Sequence, residues 1–274
     1  MCIRDSSRVV HAASIEVKSN DRVKTDKRDA KKIAEQLAAG RLRGIYVPSE
    51  EEEMRRSLSR GREQTVERRK AIGNQIKMKL HYLGFVIPGD QKMSEGFLEW
   101  VEKLDLSGAH RFAISELIDA WRQETKRIKR FNQELSAQAT NDPLEKIYRS
   151  APGIGAVSAR TLSNELGDMT RFDNERQLFS TSGLTPGEYS SGDTVRKGHI
   201  SRQGSPRLRG VLTEVAWRAI AEDQSLKAFY SRVARTRDSK RAIVAVARKM
   251  LGRLRHCLKH GIEWKDLSDI KEAA

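Results

Sequence analysis

The chain has 274 residues, with 52 Lys plus Arg against 37 Asp plus Glu, a formal charge of +15 and a pI near 10.0. That excess suits a polyanionic partner, because every phosphate neutralised by a cationic side chain releases condensed counterions; structural RNA-binding chains share such a charge, so it selects no single function. Cys2 and Cys257 stand outside any CxxC or Cys/His spacing, which argues against a disulfide framework or a structural zinc. No apolar run reaches the roughly 18 residues of a membrane span, and residues 2–7 lack a signal-peptide core, so a cytoplasmic protein of two small domains joined by helices is expected.

In chain order, residues 1–20 show no clear period, although Val9, Val10, Ile15 and Val17 can supply one or two strand fragments. From Asp26 the pattern is helical, with Ile33, Ala34, Leu37 and Ala38 on one face and Gly40 as its stop. Ile45, Tyr46 and Val47 read as a short extended segment closed by Pro48. Ser49 ahead of Glu51, Glu52 and Glu53 supplies a cap and carboxylates for the positive end of a long helix. Its stripe runs through Met54, Leu58, Thr65, Arg69, Ile72, Ile76, Leu80 and Leu83, and residues 84–90 end it. A second stripe follows through Ile114, Leu117, Ile118, Trp121, Thr125, Ile128, Phe131 and Leu135. The pair predicts a helical hairpin, either a coiled-coil arm for spacing and oligomerisation or an ordinary bundle.

After Asn141, Asp142 and Pro143 the composition shifts toward Gly, Ser and Thr, which places a domain boundary near residue 141. The expected division is 1–48, 49–140 and 141–274. The stretch 226–258 reads as one basic helical segment with an apolar face of Ile243, Val244, Val246, Ala247 and Leu251, suited to docking or to facing phosphates.

Three segments carry chemistry. Residues 24–30, KTDKRDA, set Asp26 and Asp29 on one face of a helix start, within reach of a single divalent ion; taken alone the pattern more often describes a solvated, self-paired surface turn. The run from Ala151 through Pro152, Gly153, Ile154 and Gly155 to Ala156 lies between two helical stretches, 144–149 and 159–166. It has the shape of a helix-hairpin-helix whose Gly153 and Gly155 can expose N–H groups to a DNA phosphate, or of a plain glycine turn. The densest segment is GLTPGEYSSG at 183–192, followed by Arg196, Lys197, His199, Arg202, Arg207 and Arg209. A serine beside a glycine, exposed and surrounded by cations, meets the needs of a nucleophile attacking a phosphodiester. Ser191 is the first choice, with Ser190 open and Tyr189 second, although taken in isolation such a serine is more often a turn residue or cap; His199 has no carboxylate partner in the sequence and reads as a phosphate-binding or packing residue. Arg196, Lys197, Arg202, Arg207 and Arg209 are candidate DNA contacts.

Taken together, KTDKRDA at 24–30, PGIG at 152–155, and the run from Phe179 through GLTPGEYSSG to PRLRGVLTEVAW resemble the DEDD-type insertion-sequence transposases, a group that includes Piv-like invertases and RNA-guided bridge recombinases. The order and separation of the three segments match as well, over about residues 9–260. The resemblance implies a mostly α chain with a truncated α/β part: a RuvC-like (RNase H-like) remnant at 1–48, a coiled-coil arm, and an α-helical C-terminal transposase domain. It also implies a magnesium site to which Asp26 and Asp29 contribute the last two of four acids, Ser191 as catalytic serine, DNA as substrate, an element-encoded guide RNA, and a dimer or tetramer. The first two acids of that pattern would precede residue 9 and are not in the sequence. The expected activity is therefore cleavage and rejoining of DNA through a serine assisted by a metal site, with a catalytically inactive DNA-binding remnant as the alternative.

Overall fold

The computed structural model describes residues 9–17, 23–89, 92–191, 194 and 196–266. The expectations for Cys2, Gly192 and the side chain of Lys197 fall outside the described residues. Ten α-helices and one small sheet are present among them, so the chain is mostly helical. It divides into two compact units, residues 1–53 and 54–274.

In the first unit α1 (Asp26–Ala38) is the main element. Val10 forms an isolated antiparallel bridge with Gly44, and the Ile45 N–H donates to the Val9 carbonyl at 2.8 Å, which realises the expected fragments as a single bridge. Buried Gln36 clamps the Glu16 backbone, accepting from its N–H at 3.0 Å and donating to its carbonyl at 2.8 Å. Thr25 caps α1, and its β-region backbone is what stops the helix from extending backward.

In the second unit α2 (Glu50–Tyr82) and α4 (Gly108–Thr140) run antiparallel. Ile76 and Leu80 near the end of α2 meet Ile114, Ile118 and Trp121 near the start of α4, while Arg62 donates to Asn132 at 2.6 Å farther along. A helix absent from the sequence reading, α3 (Glu95–Glu102), is capped by Ser94 and plugs the tip with Phe97, Leu98 and Val101. Toward the base the seam turns polar. Met54 is 59% exposed, and the buried positions are Arg56, Ser59 and Thr65, because this end packs against a polar junction rather than an apolar one. There Asn164 donates to Ser59 at 2.6 Å and to the Arg55 carbonyl at 3.0 Å, and Arg60 grips Glu165 at 2.8 and 3.1 Å.

The remaining helices, α5 (Glu145–Ser150), α6 (Ala156–Leu166), α7 (Glu175–Ser182), α8 (Pro206–Glu222), α9 (Gln224–Thr236) and α10 (Ser239–His260), enclose the larger core. The centre is α10, which packs on α5, α7, α8 and α9 and buries Ile243, Val246, Ala247 and Leu251 as its apolar face anticipates. The single helical stretch expected over 226–258 is broken. Asp238 takes an extended backbone and accepts from the Arg241 N–H at 2.8 Å, starting α10 afresh. Arg160 is 2% exposed and held between Asp142 (2.5 Å) and Glu145 (2.7 Å), so α5, α6 and the preceding turn are joined by a buried ion-pair network. No helix among the described residues is long and apolar enough to cross a membrane.

Candidate nucleic-acid interface

The Thr25 hydroxyl accepts from the Arg28 N–H at 3.4 Å and starts α1 at Asp26, which puts Asp26 and Asp29 in the first turn. Carboxylates there offset the positive helix end, a stabilising role that needs no ligand. Asp26 is exposed, and Asp29 lies 3.4 Å from Lys32 Nζ. Among the described residues no group of three or more His, Cys, Asp or Glu side chains could hold a metal ion. Magnesium is ordinarily held by one or two carboxylates with substrate phosphates and water completing its octahedron. Asp26 and Asp29, one helical turn apart, match that number of carboxylates, and any further ligands would have to come from elsewhere.

The serine segment is a β-hairpin. Its strands are β1 (Pro186–Glu188) and β2 (Lys197–Ile200), pairing Pro186 with Ile200 and Glu188 with Lys197 across one irregularity. Two glycines set its root. A Cβ on Gly183 (φ +67) would lie 2.6 Å from the Gln203 carbonyl oxygen, and one on Gly204 (φ +113) 2.5 Å from that of Thr181. At both positions the left-handed backbone and the close approach of another chain segment demand glycine. The Ser201 N–H to Thr185 bond, 2.8 Å, closes the root and the Ser205 N–H to Thr181 bond, also 2.8 Å, straps it to α7; Ser205 then caps α8 with Pro206 as its first residue. Arg202 has φ +56, and its carbonyl accepts from Arg209 Nη1 at 3.5 Å.

Past β1 the Tyr189 N–H donates to the Arg196 carbonyl at 2.9 Å, and Ser191 and Thr194 exchange two 3.2 Å bonds. Ser191 is thereby paired with Thr194 across the hairpin and is the last described residue of its outgoing arm. The two serines are both exposed but differently engaged. Ser190 Oγ donates to Glu188 Oε1 at 2.6 Å and accepts from the Arg196 N–H at 3.2 Å. The Ser191 hydroxyl has no hydrogen-bond partner among the described residues. Tyr189 is 81% exposed, and the imidazole of His199, on β2, makes no ion pair among the described residues. Glu188 as the partner of Ser190 went unnoticed in the sequence, although the two-residue spacing along an extended strand is the signal that places both on one face.

The glycine turn lies between α5 and α6. Gly153 (φ +73) is pressed against α8, where a Cβ would meet the Val215 carbonyl oxygen at 2.7 Å, and its N–H donates to the Glu222 carboxylate at 2.8 Å. Gly153 is buried and its donor is spent inside the protein; Gly155, the N-cap of α6, is exposed. Beside the α6 N-terminus a cleft of about 440 Å³ opens between α2, α6 and α8, lined by Val157, Ser158, Arg62, Arg207 and Arg218 together with Glu63 and Glu214. Arg207 pairs with Glu63 and Arg218 with Glu214, and burial, then the nearby Arg69, holds the Arg62 guanidinium below its usual pKa while Glu214 opposes this. Three guanidinium groups against two carboxylates leave the cleft one positive charge in excess, next to free N–H groups of a helix start. Of the expected DNA contacts only Arg207 lines this cleft; Arg196, Arg202 and Arg209 lie along the hairpin and its root. Arg62 and Arg218 were missed in the sequence because each sits on the polar face of its own helix, and only the packing of α2 beside α8 brings them together.

The class to which these parts belong is that of the transposases. A DEDD-type IS110 transposase family model matches residues 7–83, and one described as transposase IS116/IS110/IS902 family matches residues 145–231. A putative transposase, y4qE, of Sinorhizobium fredii is 33% identical over 210 residues, covering 76% of this chain and 51% of that protein. The transposase for insertion sequence element IS1111A of Coxiella burnetii is 28% identical over 200 residues, 72% of this chain and 54% of that one. That for IS1328 of Yersinia enterocolitica is 26% identical over 200 residues, 73% and 59% respectively. The chain belongs to the IS110/IS116 family of transposases. It spans about half the length of the curated relatives it matches.

Proposed function

We propose that this chain carries the strand-transfer part of an insertion-sequence transposase that acts on DNA, with Ser191 as its nucleophile. The observation that supports the choice of serine is the contrast in hydrogen bonding: Ser190 pins the hairpin through Glu188 and the Arg196 N–H, while the Ser191 hydroxyl has no partner among the described residues. Attack of Ser191 Oγ on a DNA phosphorus forms a phosphoserine diester and breaks one P–O ester bond. The serine proton ends on the departing deoxyribose oxygen, and attack by a deoxyribose hydroxyl reverses the step on a new strand. Arg196, Lys197, Arg202 and Arg209 supply positive charge near the phosphoryl oxygens, where it stabilises the charge that develops during displacement.

In this reading the first turn of α6, from Gly155, and Arg207 hold DNA backbone phosphates without reading bases. Gly153 contributes by letting α6 approach α8, not by donating to phosphate. Asp26 and Asp29 would furnish two ligands of a divalent ion whose other ligands come from outside the described residues. An element-encoded guide RNA and a homo-oligomer complete the proposal, as does the remnant of a RuvC-like fold around α1.

The test is covalent attachment. The protein is incubated with supercoiled DNA carrying the element's ends, with magnesium, and protein–DNA adducts surviving denaturant are counted. Wild type and Ser190→Ala should form them, and Ser191→Ala should form none. An adduct lost in Ser190→Ala and kept in Ser191→Ala reverses the assignment. DNA binding with no adduct from any form establishes instead the alternative, a DNA-binding remnant without strand-transfer chemistry.

A further inference from the structure

A second groove of about 440 Å³ lies between α7, α9 and α10, and it shares no residue with the serine hairpin or with the cleft beside α6. Its walls are two half-buried rings, Phe179 of α7 and Phe229 of α9, and its rim is cationic, with Arg248, Lys249 and Arg253 of α10. The Arg248 guanidinium lies 4.8 Å from the Phe179 ring centre and the Lys249 ammonium 4.4 Å from that of Phe229. Gly252 keeps the floor open. A Cβ there would come within 2.9 Å of Glu175 Oε1, so the one carboxylate of the groove reaches across α10 where no side chain stands. Arg248 Nε is buried without a hydrogen-bond partner, and burial holds this guanidinium below its usual pKa against the pull of Glu175.

Aromatic faces beside a cationic rim suit a particular ligand. A duplex keeps its base faces stacked inside and offers only phosphates, for which the rings have no use. An unpaired nucleotide offers both a π-face and a phosphate, and base–aromatic stacking outweighs a cation–π contact that solvent still reaches. A base can therefore displace Lys249 from the Phe229 ring and leave the ammonium beside the nucleotide's own phosphate. We propose that the groove between α7, α9 and α10 binds one or two unpaired nucleotides of a single-stranded nucleic acid, with a base against Phe229 or Phe179 and phosphate between Lys249 and Arg253.

The test measures binding of the whole chain by fluorescence anisotropy to oligothymidylate, oligouridylate and a duplex. Each is about 20 nucleotides long, exceeding the roughly 4–16 nucleotides that single-strand folds occupy. Phe229→Leu, which keeps apolar bulk and removes the ring, and Lys249→Gln should each weaken single-strand binding by about fivefold or more and leave duplex affinity within about twofold. Loss on the deoxy strand, the ribo strand or both supports the site and identifies its source. Unchanged single-strand affinity, or an equal loss on the duplex, overturns it. Should Phe229→Leu lower helix content by circular dichroism, Lys249→Gln decides alone. A loss confined to the single strands separates this site from the proposed serine chemistry, whose readout is the covalent adduct.

Discussion

In residues 54–274, Leu162, Leu166, Leu184, Ala216 and Leu251 are fully buried in one core, whereas in residues 9–53 the buried side chains among those described are Gln36 and Leu42. Ile33, Leu37, Ile45 and Val47 of the first unit stand 37–57% exposed. The two candidate chemistries inherit this difference. Ser191 projects from a hairpin whose root is locked by two glycines, two backbone straps and the buried end of α7. Asp26 and Asp29 are placed by one helical turn and one threonine cap. A group on a core-supported hairpin keeps its position through long-range packing; one on a helix start keeps it through local hydrogen bonds alone.

The largest effect that would break this comparison is at Arg160. Arg160→Ala strands Asp142 and Glu145 in a buried site and should cost about 3–5 kcal/mol in urea unfolding. Lys32→Ala, which breaks the half-buried, one-turn pair with Asp29, should cost about 1 kcal/mol or less. Next, Leu162→Ala and Leu251→Ala should each lose about 2–5 kcal/mol, while Ile33→Ala stays within about 0.5 kcal/mol. A cost at Ile33 equal to that at Leu162 would mean that the first unit is held by a core of its own and would erase the distinction. Gly204→Ala forces a side chain into a left-handed backbone against the Thr181 carbonyl, and a loss of about 1–3 kcal/mol is expected.

The smallest effect is a dependence on pH. Burial pulls the Asp142 carboxyl upward, but hydrogen bonds from Arg160, the Leu144 N–H and Ser163 outweigh it and leave the group below the usual carboxylate range. A depressed folded value means the stabilisation is complete above the unfolded carboxylate pKa of about 3.9 and disappears as pH falls through the lower folded value. Wild-type stability should therefore fall below about pH 4, and Asp142→Asn should show a shallower acid slope. An unchanged slope would assign that loss to other carboxylates.

Much of the helical architecture could be read locally. The i, i+3 and i+4 stripes marked α2 and α4, and buried Ile114, Ile118, Trp121, Ile128 and Leu135 lie where the spacing puts them. The misses came from short elements and competing caps. α3 is only eight residues long, so its apolar Phe97, Leu98 and Val101 do not complete a recognisable period. Asp238 breaks what its flanking residues present as one helix, because a side-chain cap acts at a single position that a periodicity window averages away. The hairpin around Ser191 was hidden for a different reason. Its strands are three and four residues long and rich in glycine, too short for alternation to register.

What the sequence determined by itself is the local chemistry: the charge, the capped acidic turn of Asp26 and Asp29, the serines beside glycine and cations, and the segment order shared with a transposase family. The charge and the segment order are sums or sequences along the whole chain, and the acidic turn and the serine segment each depend on residues within a turn or two of one another. Tertiary structure decided which serine is engaged, that Gly153 spends its N–H on Glu222, that Arg62 and Arg218 face one cleft with Arg207, and that Phe179 and Phe229 wall another with Arg248 and Lys249. The partners of Ser190 lie two and six positions away across the hairpin, but the other pairings join residues up to more than a hundred positions apart, and the packing of whole helices, driven by the core they share, brings those together.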